Sequence, residues 1–283
     1  MTVPDDTVPG DIEQLIRYVN EQIELLNFDS PEPSLLRRMV EGLTDARKSV
    51  RVDLIEAFGQ IGEPATPFLL EGLATHPQAQ VRRTCCHALS NIGDPLAVSG
   101  LVQALQNDTD IVVKGAAASA LARIGAPAFK SLCRVLASDV AEESCKGQAA
   151  WAIASMSSEV AQPLYEATAD SSPAVRLAAV GAIAQLATQS KDPNALKALH
   201  NSIQDDSPEV RIETIAALAR LNDPDGYRYV VKLLSDSEEE VRKAAVLALG
   251  KFNRPSAAEA IAPLTRDPSP QVQRIAALVL SQL

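Results

Sequence analysis

The sequence predicts an all-α solenoid of about eight helix pairs behind an N-terminal capping helix. A twelve-residue unit, clearest as VRKAAVLALGKF at 241–252, occurs eight times in the 283 residues. Successive copies begin 30 to 35 residues apart, and all variation in length falls between the units. A helical unit of fixed length at this period is typical of stacked repeats. The copies begin at Val50, Val81, Val113, Cys145, Val175, Val210, Val241 and Val272.

Each unit is predicted to be the second helix, or B helix, of a pair. Counting its first residue as position 0, apolar or small residues occupy positions 0, +4, +7, +8 and +11. At about 100° per residue these positions form one stripe along a helix. The first helix of each pair, or A helix, is predicted near 34–43, 65–74, 95–106, 127–137, 160–169, 193–204, 224–234 and 256–265.

The chain is predicted to divide into a tail, a cap and a repeat region. Residues 1–10 carry two prolines, two aspartates and a glycine, which favour a disordered tail. Residues 11–33 are interpreted as a capping helix, with Asp11 at its N-cap, followed by a turn. The solenoid then occupies residues 34–283, with a longer connection at 188–194.

An aspartate and a basic residue recur at the turn before each B helix. Aspartate stands five residues before the unit in six copies, and arginine or lysine follows the first position in seven. Aspartate favours turns, and a guanidinium pairs well with a carboxylate. We therefore predict that the basic residue either holds its own turn against the helix or bridges to the next repeat.

Composition limits the classes of function. The net charge of −10 argues against general binding of nucleic acid, which needs a basic surface. The four cysteines lack the spacing of a disulfide framework, and the acidic N-terminus lacks a signal-peptide pattern. No stretch approaches the roughly 20 apolar residues that span a bilayer. We expect a cytoplasmic protein that does not bind membranes.

Several of these motifs resemble a known family. The D-x4-V-R turn, DIVVKGAAASALARIG at 110–125 and SCKGQAAWAIASM at 144–156 resemble the short HEAT-like repeats of cyanobacterial phycobilisome lyase-type proteins. That group includes E/F-type phycobilin lyases, a phycobilisome-degradation factor and a HEAT protein that pairs with an iron–sulfur scaffold. The resemblance implies a right-handed α-α superhelix, with B helices lining a concave face. It implies a protein partner there, a phycobiliprotein or an iron–sulfur scaffold.

The B-helix positions opposite the core stripe are +2, +6 and +10. In the later repeats these positions carry large apolar residues that we expect to face solvent, and such a strip is typical of a binding surface. The alternative is that neighbouring helices bury them. Gly115, Gly147 and Gly181 are predicted to leave a hollow beside the only tryptophan, which could receive a partner helix or a flat ligand such as a bilin. The predicted contact residues are Trp151, Leu177, Ile212 and Leu247.

The same columns are mildly basic although the whole chain is acidic. Arg83 and Arg123 lie in these columns, and His87 occupies position +6 of its unit. We expect this face to suit an acidic protein partner or the propionates of a bilin. We include these three residues among the predicted contacts.

No catalytic constellation or metal site is recognisable. The sequence lacks a phosphate loop, a nucleophile elbow and a zinc signature, and its cysteines mostly fall on core positions. The repeated His-Glu ligands of HEAT-type di-iron hydroxylases are also missing. The first hypothesis is a protein-binding scaffold or chaperone-like factor in phycobilisome or cofactor biogenesis or turnover, without a cofactor of its own. The second is a phycobilin lyase or isomerase subunit that binds a bilin; a third, a DNA-acting enzyme, would need a strongly basic groove.

Overall fold

The computed structural model describes residues 11–25, 31–156, 160–190, 192–252 and 254–283. Within these ranges the protein is a helical repeat solenoid of seventeen α-helices without β-strands. Short 3-10 turns adjoin four of the A helices. The predicted tail at 1–10 lies outside the described residues. The helices are α1 (Ile12–Glu24), α2 (Pro33–Gly42), α3 (Lys48–Ile61), α4 (Thr66–Thr75), α5 (Ala79–Ile92), α6 (Val98–Asn107), α7 (Ile111–Ile124), α8 (Ala126–Leu136), α9 (Glu143–Ser155), α10 (Ala161–Ala167), α11 (Pro173–Ser190), α12 (Pro193–Ser202), α13 (Pro208–Leu221), α14 (Pro224–Lys232), α15 (Glu239–Phe252), α16 (Ser256–Ile261) and α17 (Pro270–Leu280).

The chain forms two compact units, one ending at Ala152 and the other beginning at Ile153. In unit 1, the A helices α2, α4, α6 and α8 contact one another in sequence, and the B helices α3, α5 and α7 do the same. Helix α1 packs against α2 and α3, where Ile12 fills the space above Gly42. Asp11 is at the N-cap of α1, although its side chain makes no capping hydrogen bond.

In unit 2 the B helices α11, α13, α15 and α17 contact one another in sequence. Helix α11 differs from the expectation, because it continues through Ser190 and replaces part of the loop that we predicted at 188–194. The extra residues of this repeat therefore lengthen a helix. Asn222 ends α13 in the left-handed conformation at φ 49°, which is common just after the last turn of a helix.

The predicted stripe forms the core. All eight residues at position 0 are buried, from Val50 to Val272, and so are all eight at positions +4 and +7. Small residues dominate position +7, where seven of the eight are alanine. Alanine lets adjacent helices approach closely, so the core is made from many small contacts.

The recurrent arginine both holds its own turn against the helix and bridges to the next repeat, the two roles considered from the sequence. Arg211 donates from Nη1 to the carbonyl of Asp205 in its own turn at 2.7 Å, and it pairs with Asp236 of the next repeat at 2.8 and 2.9 Å. We call this series the Arg–Asp ladder. Each aspartate also accepts a backbone N–H two residues later, so one carboxylate fixes both the turn and the neighbouring repeat. The pairs are Arg82–Asp108, Arg176–Asp205, Arg211–Asp236 and Arg242–Asp267.

The turn before the fourth B helix has Val140 in place of the recurrent aspartate and is held by different contacts. Lys114 takes the place of the arginine and donates to Glu142 at 3.1 Å and to the Sγ atom of Cys145 at 3.7 Å. The thiol of Cys145 in turn donates to the carbonyl of Leu105 at 3.3 Å. A buried cysteine at position 0 is therefore part of the turn structure.

Candidate functional site

Helices α5, α7 and α9 of unit 1 form a cleft on the B-helix face. Its volume is about 470 Å³. It brings together Trp151, Arg83 and His87, three of the predicted contact residues, with Gly115 of the predicted hollow. The lining residues are Arg83, His87, Val112, Gly115, Ala116, Ala118, Ser119, Gln148 and Trp151.

The repeat pattern places these side chains in the cleft. Arg83 and Gly115 occupy position +2 of successive B helices, whereas His87, Ser119 and Trp151 occupy position +6. Trp151 is 52% exposed, so much of a large and mostly apolar side chain faces solvent. A side chain at +6 points away from the buried stripe, so the same helix that buries Ala149 and Ala152 exposes Trp151.

Two glycines of the predicted hollow, Gly115 and Gly147, border open space. A Cβ atom added to Gly115 or Gly147 would meet no atom within 4 Å. By contrast, a Cβ atom on Gly250 would lie 2.8 Å from Val279. Helix packing thus explains Gly250 and does not explain Gly115 or Gly147. Gly115 lines the cleft and Gly147 lies outside its lining.

The cleft carries an arginine without an internal partner. Arg82 is held by Asp108, but neighbouring Arg83 makes no hydrogen bond or ion pair with any described residue, and its Nε atom is buried. The Oε1 atom of Gln148 is likewise buried without a hydrogen-bond partner among the described residues. A donor and an acceptor are therefore both unsatisfied in one cleft.

His87 is held toward its neutral form. Burial lowers the pKa of His87, and the positive charge of Arg83 lowers it further. At neutral pH the imidazole is a polar, largely uncharged neighbour of the guanidinium. No carboxylate lies among the residues that line the cleft.

The remaining predicted contacts lie elsewhere. Arg123 is exposed outside the lining of the cleft, and its Nε atom donates to the carbonyl of Ser90 at 3.4 Å. In unit 2, Leu247 is 47% exposed, whereas Leu177 and Ile212 are partly covered. Leu278 of α17, also at position +6, is 55% exposed.

Leu177 and Ile212 are covered because position +2 borders the contact between adjacent B helices. Positions +2 and +9 lie seven residues apart and therefore share a face of the helix. Position +9 packs on the next B helix, as Gly250 does against Val279. Leu177 and Ile212 are therefore only partly exposed, which lies between the two alternatives considered from the sequence.

Five of the lining residues were not predicted from the sequence, and Gln148 and Val112 are two of them. Gln148 lies at position +3, one residue after the column we followed, and Val112 precedes position 0. Gln148 had a usable signal, since +3 lies beside +6 on a helix and a polar residue there flanks Trp151. No sequence signal indicated Val112, because its exposure depends on the distance between α5 and α7.

The cysteines are structural in character. Cys85, Cys86 and Cys145 are buried and form no disulfide. Burial raises the pKa of Cys86 to about 12 and raises that of Cys85 further. Thiols in this state are poor nucleophiles and poor metal ligands. In the described part of the chain, no three histidine, cysteine or acidic side chains cluster as a metal site would require.

No helix in the described ranges has both the length and the apolar character needed to cross a bilayer.

Comparison with known proteins identifies the repeats. The family of HEAT repeats matches residues 36–122 and 196–281, more than half of the chain. The bilin biosynthesis protein MpeU of Synechococcus sp. (strain WH8020) is 30% identical over 163 residues, which cover 57% of this chain and 55% of MpeU. A HEAT repeat-containing taxis protein of Halobacterium salinarum is 28% identical over 44% of this chain and 37% of its own length. The chain thus spans about half, or less, of each curated relative.

Among solved structures, Kap121p bound to Nup53p has a TM-score of 0.55 and 14% identity, and the match covers 96% of this chain and 36% of Kap121p. This likeness supports the helical solenoid fold alone. The repeat match confirms the predicted HEAT-like repeats. The chain therefore belongs to the family of HEAT repeats.

Proposed function

We propose that the chain is a scaffold that binds a phycobiliprotein during phycobilin metabolism, through exposed apolar residues on its B-helix faces. The similarity to MpeU, a bilin biosynthesis protein, supports the metabolic context. The precedent of a HEAT-type solenoid holding a protein is Kap121p bound to Nup53p. The observation that carries the proposal is the exposure of Trp151, Leu247 and Leu278 at the same repeat position.

These side chains suit a protein interface. Burial of a large apolar side chain contributes about 1.5–3 kcal/mol, and tryptophan is enriched among residues that dominate binding energy. Position +6 is not needed for the core, because His87, Ser119 and Ala216 occupy it in other repeats and are exposed as well. Large apolar residues at position +6 therefore present apolar surface that suits a partner protein.

The test is capture of a purified apo-phycobiliprotein by the full chain. We expect Trp151→Glu and Leu247→Glu each to weaken capture at least tenfold, because a charge would be buried at the interface. Both residues face solvent, so circular dichroism should remain unchanged. The matched control is Leu96→Glu, because Leu96 is 76% exposed in the turn before α6, outside the B-helix columns. Unchanged capture by both variants would rule out Trp151 and Leu247 as contact residues for the phycobiliprotein.

A second candidate function is that of a bilin lyase or isomerase subunit. The cleft of about 470 Å³ beside Trp151 favours it, because a flat apolar wall and an arginine suit a conjugated molecule with propionates. Titration with phycocyanobilin should then change the absorbance of the bilin and quench Trp151 fluorescence at a stoichiometry of one. Trp151→Ala should lose the saturable absorbance change. No saturable binding would leave only the protein scaffold.

Transfer separates a lyase from a bilin-binding scaffold. A lyase subunit would increase the rate at which bilin becomes attached to a cysteine of the apo-phycobiliprotein. The cleft offers no carboxylate to act with His87 as an acid–base pair. Within this second candidate function, we therefore favour a chain that binds bilin over a chain that by itself catalyses attachment of the bilin.

A further inference from the structure

One side of each B helix in unit 2 packs against the following repeat. Arg242 at position +1 of α15 reaches Asp267 of the next repeat at 2.8 and 2.9 Å, so position +1 faces that repeat. Positions +5 and +8 follow +1 by four and seven residues and therefore share its side of the helix. They are buried in all three earlier B helices of the unit, as Val180, Ile183, Ile215, Leu218, Val246 and Leu249.

Helix α17, the last B helix that the structure describes, leaves this side open. Ala277 at position +5 is exposed, and Leu280 at position +8 is partly exposed. Ser281 at position +9 is exposed too, whereas Gly250 at that position of α15 lies against Val279. We call the four residues at positions +1, +5, +8 and +9 of α17 the end face; they are Gln273, Ala277, Leu280 and Ser281.

The end face carries no charge. Gln273 stands where the other seven repeats have arginine or lysine, and its Nε2 atom donates to the carbonyl of Asp267 in its own turn at 2.7 Å. It therefore holds the turn as a ladder arginine does, but it brings no positive charge toward another repeat. Within residues 270–283, Arg274 is the one charged residue. A terminal repeat that faces water normally has a polar outer face, so this composition is typical of a covered surface.

These features fit a second copy of the end face better than a further repeat. A further repeat of the usual kind would bring a turn aspartate, and Gln273 offers no charge to pair with it. Two copies related by a two-fold axis place the same face against itself, so an arginine at position +1 would find no carboxylate opposite. In antiparallel α17 helices centred on Ala277, Gln273 of one copy lies opposite Ser281 of the other, and both side chains can donate and accept hydrogen bonds.

We infer that the end face is a self-association surface, through which two copies of the chain form a two-fold symmetric dimer with α17 packed against α17. The small side chain of Ala277 at the centre lets the two helices approach closely. The contact repeats between molecules the packing that joins α15 to α17 within one molecule. The proposed function does not depend on this dimer, because Trp151 and Leu247 lie on other helices.

Sedimentation equilibrium of the full chain tests the inference. We expect a reversible equilibrium of monomer and dimer in the micromolar range, because one helix pair offers less area than a standard interface. Ala277→Glu should raise the dissociation constant about tenfold or more, since two carboxylates would be buried together near the axis. The matched control is Ala216→Glu, because Ala216 is an exposed alanine at position +6 of α13, on another side of its helix. That control should leave the dissociation constant unchanged.

Two results of this measurement would overturn the inference. One is a chain that stays monomeric up to about 500 µM, which corresponds to an association weaker than about 5 kcal/mol. The other is a dimer that Ala277→Glu weakens no more than Ala216→Glu does, which would place the contact elsewhere. Circular dichroism should be unchanged in both variants, because both alanines are exposed.

A charge-swap mixture tests the two-fold geometry. Ala277→Lys alone should also weaken the dimer, because two ammonium groups would meet near the axis. An equimolar mixture of Ala277→Glu and Ala277→Lys should form a mixed dimer about tenfold more tightly than either variant forms its own, since each carboxylate then meets an ammonium group. Native mass spectrometry with a mass tag on one variant resolves the three dimers. A mixture that shows no preference for the mixed dimer, or a continuous series of larger oligomers, would contradict the two-fold contact.

Discussion

At the scale of single residues, the same amino acid has different roles at adjacent positions. Arg82 and Arg83 are neighbours on α5, yet one is fixed in the Arg–Asp ladder and the other lines a cleft. The difference follows from about 100° of helical rotation between them. Ladder arginines are buried together with their carboxylates, so their contribution is to the fold.

Loss of one ladder arginine should be costly. Arg211→Met leaves the side chain of Asp236 buried without its counter-charge, and we expect the free energy of unfolding to fall by about 3 kcal/mol. Arg220→Met on the same helix is the control, because Arg220 is exposed and its contact with Glu213 is 3.8 Å long. In urea titrations, the free energy of unfolding of the control should lie within about 0.5 kcal/mol of that of the unmodified protein. Equal effects of both changes would refute a stabilising role for the ladder.

At the scale of helices, glycine separates packing from open surface. Gly250 of α15 lets Val279 of α17 approach closely, whereas Gly115 of α7 faces space that this chain leaves open. Glycine therefore occurs both at a close helix contact and at an open surface. A glycine that helix packing explains reports on the fold, and one that it does not explain reports on a surface available to a ligand.

Alanine at these two glycines should change stability in opposite directions. Gly115→Ala should raise the free energy of unfolding by about 0.5–1 kcal/mol through helix propensity. Gly250→Ala should lower it by about 1–3 kcal/mol, because Val279 is β-branched and cannot easily rotate away. Chemical denaturation followed by circular dichroism would measure both changes. A stabilised Gly250→Ala protein would contradict this expectation, because α17 would then accommodate the methyl group without a loss of stability.

The repeat period made the core and the exposure of Trp151 predictable, because both depend only on angle around one helix. Positions 0, +4 and +7 are buried in every repeat, and Trp151 lies opposite them. The partial burial of Leu177 and Ile212 was not predictable, since it depends on the distance to the neighbouring B helix. The cleft contains Trp151, Arg83 and one of the three glycines expected beside the tryptophan, Gly115, whereas Gln148 was not predicted.

At the scale of the whole molecule, the arginine–aspartate pairs of the ladder make the stability of the fold depend on pH. Hydrogen bonds from Arg82 hold the pKa of Asp108 below its usual value, and those from Arg242 do the same for Asp267. A carboxyl group with a lowered folded-state pKa binds protons less readily than in the unfolded chain. Its stabilising contribution is therefore complete above the ordinary pKa of 3.8 and is lost as the pH falls below it.

Urea unfolding at pH 6 and pH 3 would test this. We expect Asp108→Asn and Asp267→Asn to be less stable than the unmodified protein at pH 6 and to differ from it less at pH 3. Asparagine keeps the oxygen that accepts the turn N–H, but it removes the negative charge together with the second oxygen that accepts from the arginine. Exposed Asp139→Asn should change little at either pH. A difference that stays constant between the two values would contradict the assignment of the pH response to the ladder.

The Arg–Asp ladder also affects how such a protein can change over evolutionary time. Every ladder pair joins position +1 of one repeat to the aspartate before the next, whichever two repeats meet. Deletion of residues 210–240 would remove the Arg211–Asp236 pair and leave Arg176 opposite Asp205 and Arg242 opposite Asp267. Recombination can therefore shorten or lengthen the array by a whole repeat without creating an unmatched charge. A point substitution of a single ladder arginine has no such compensation, so lineages should differ more readily in repeat number than in these residues.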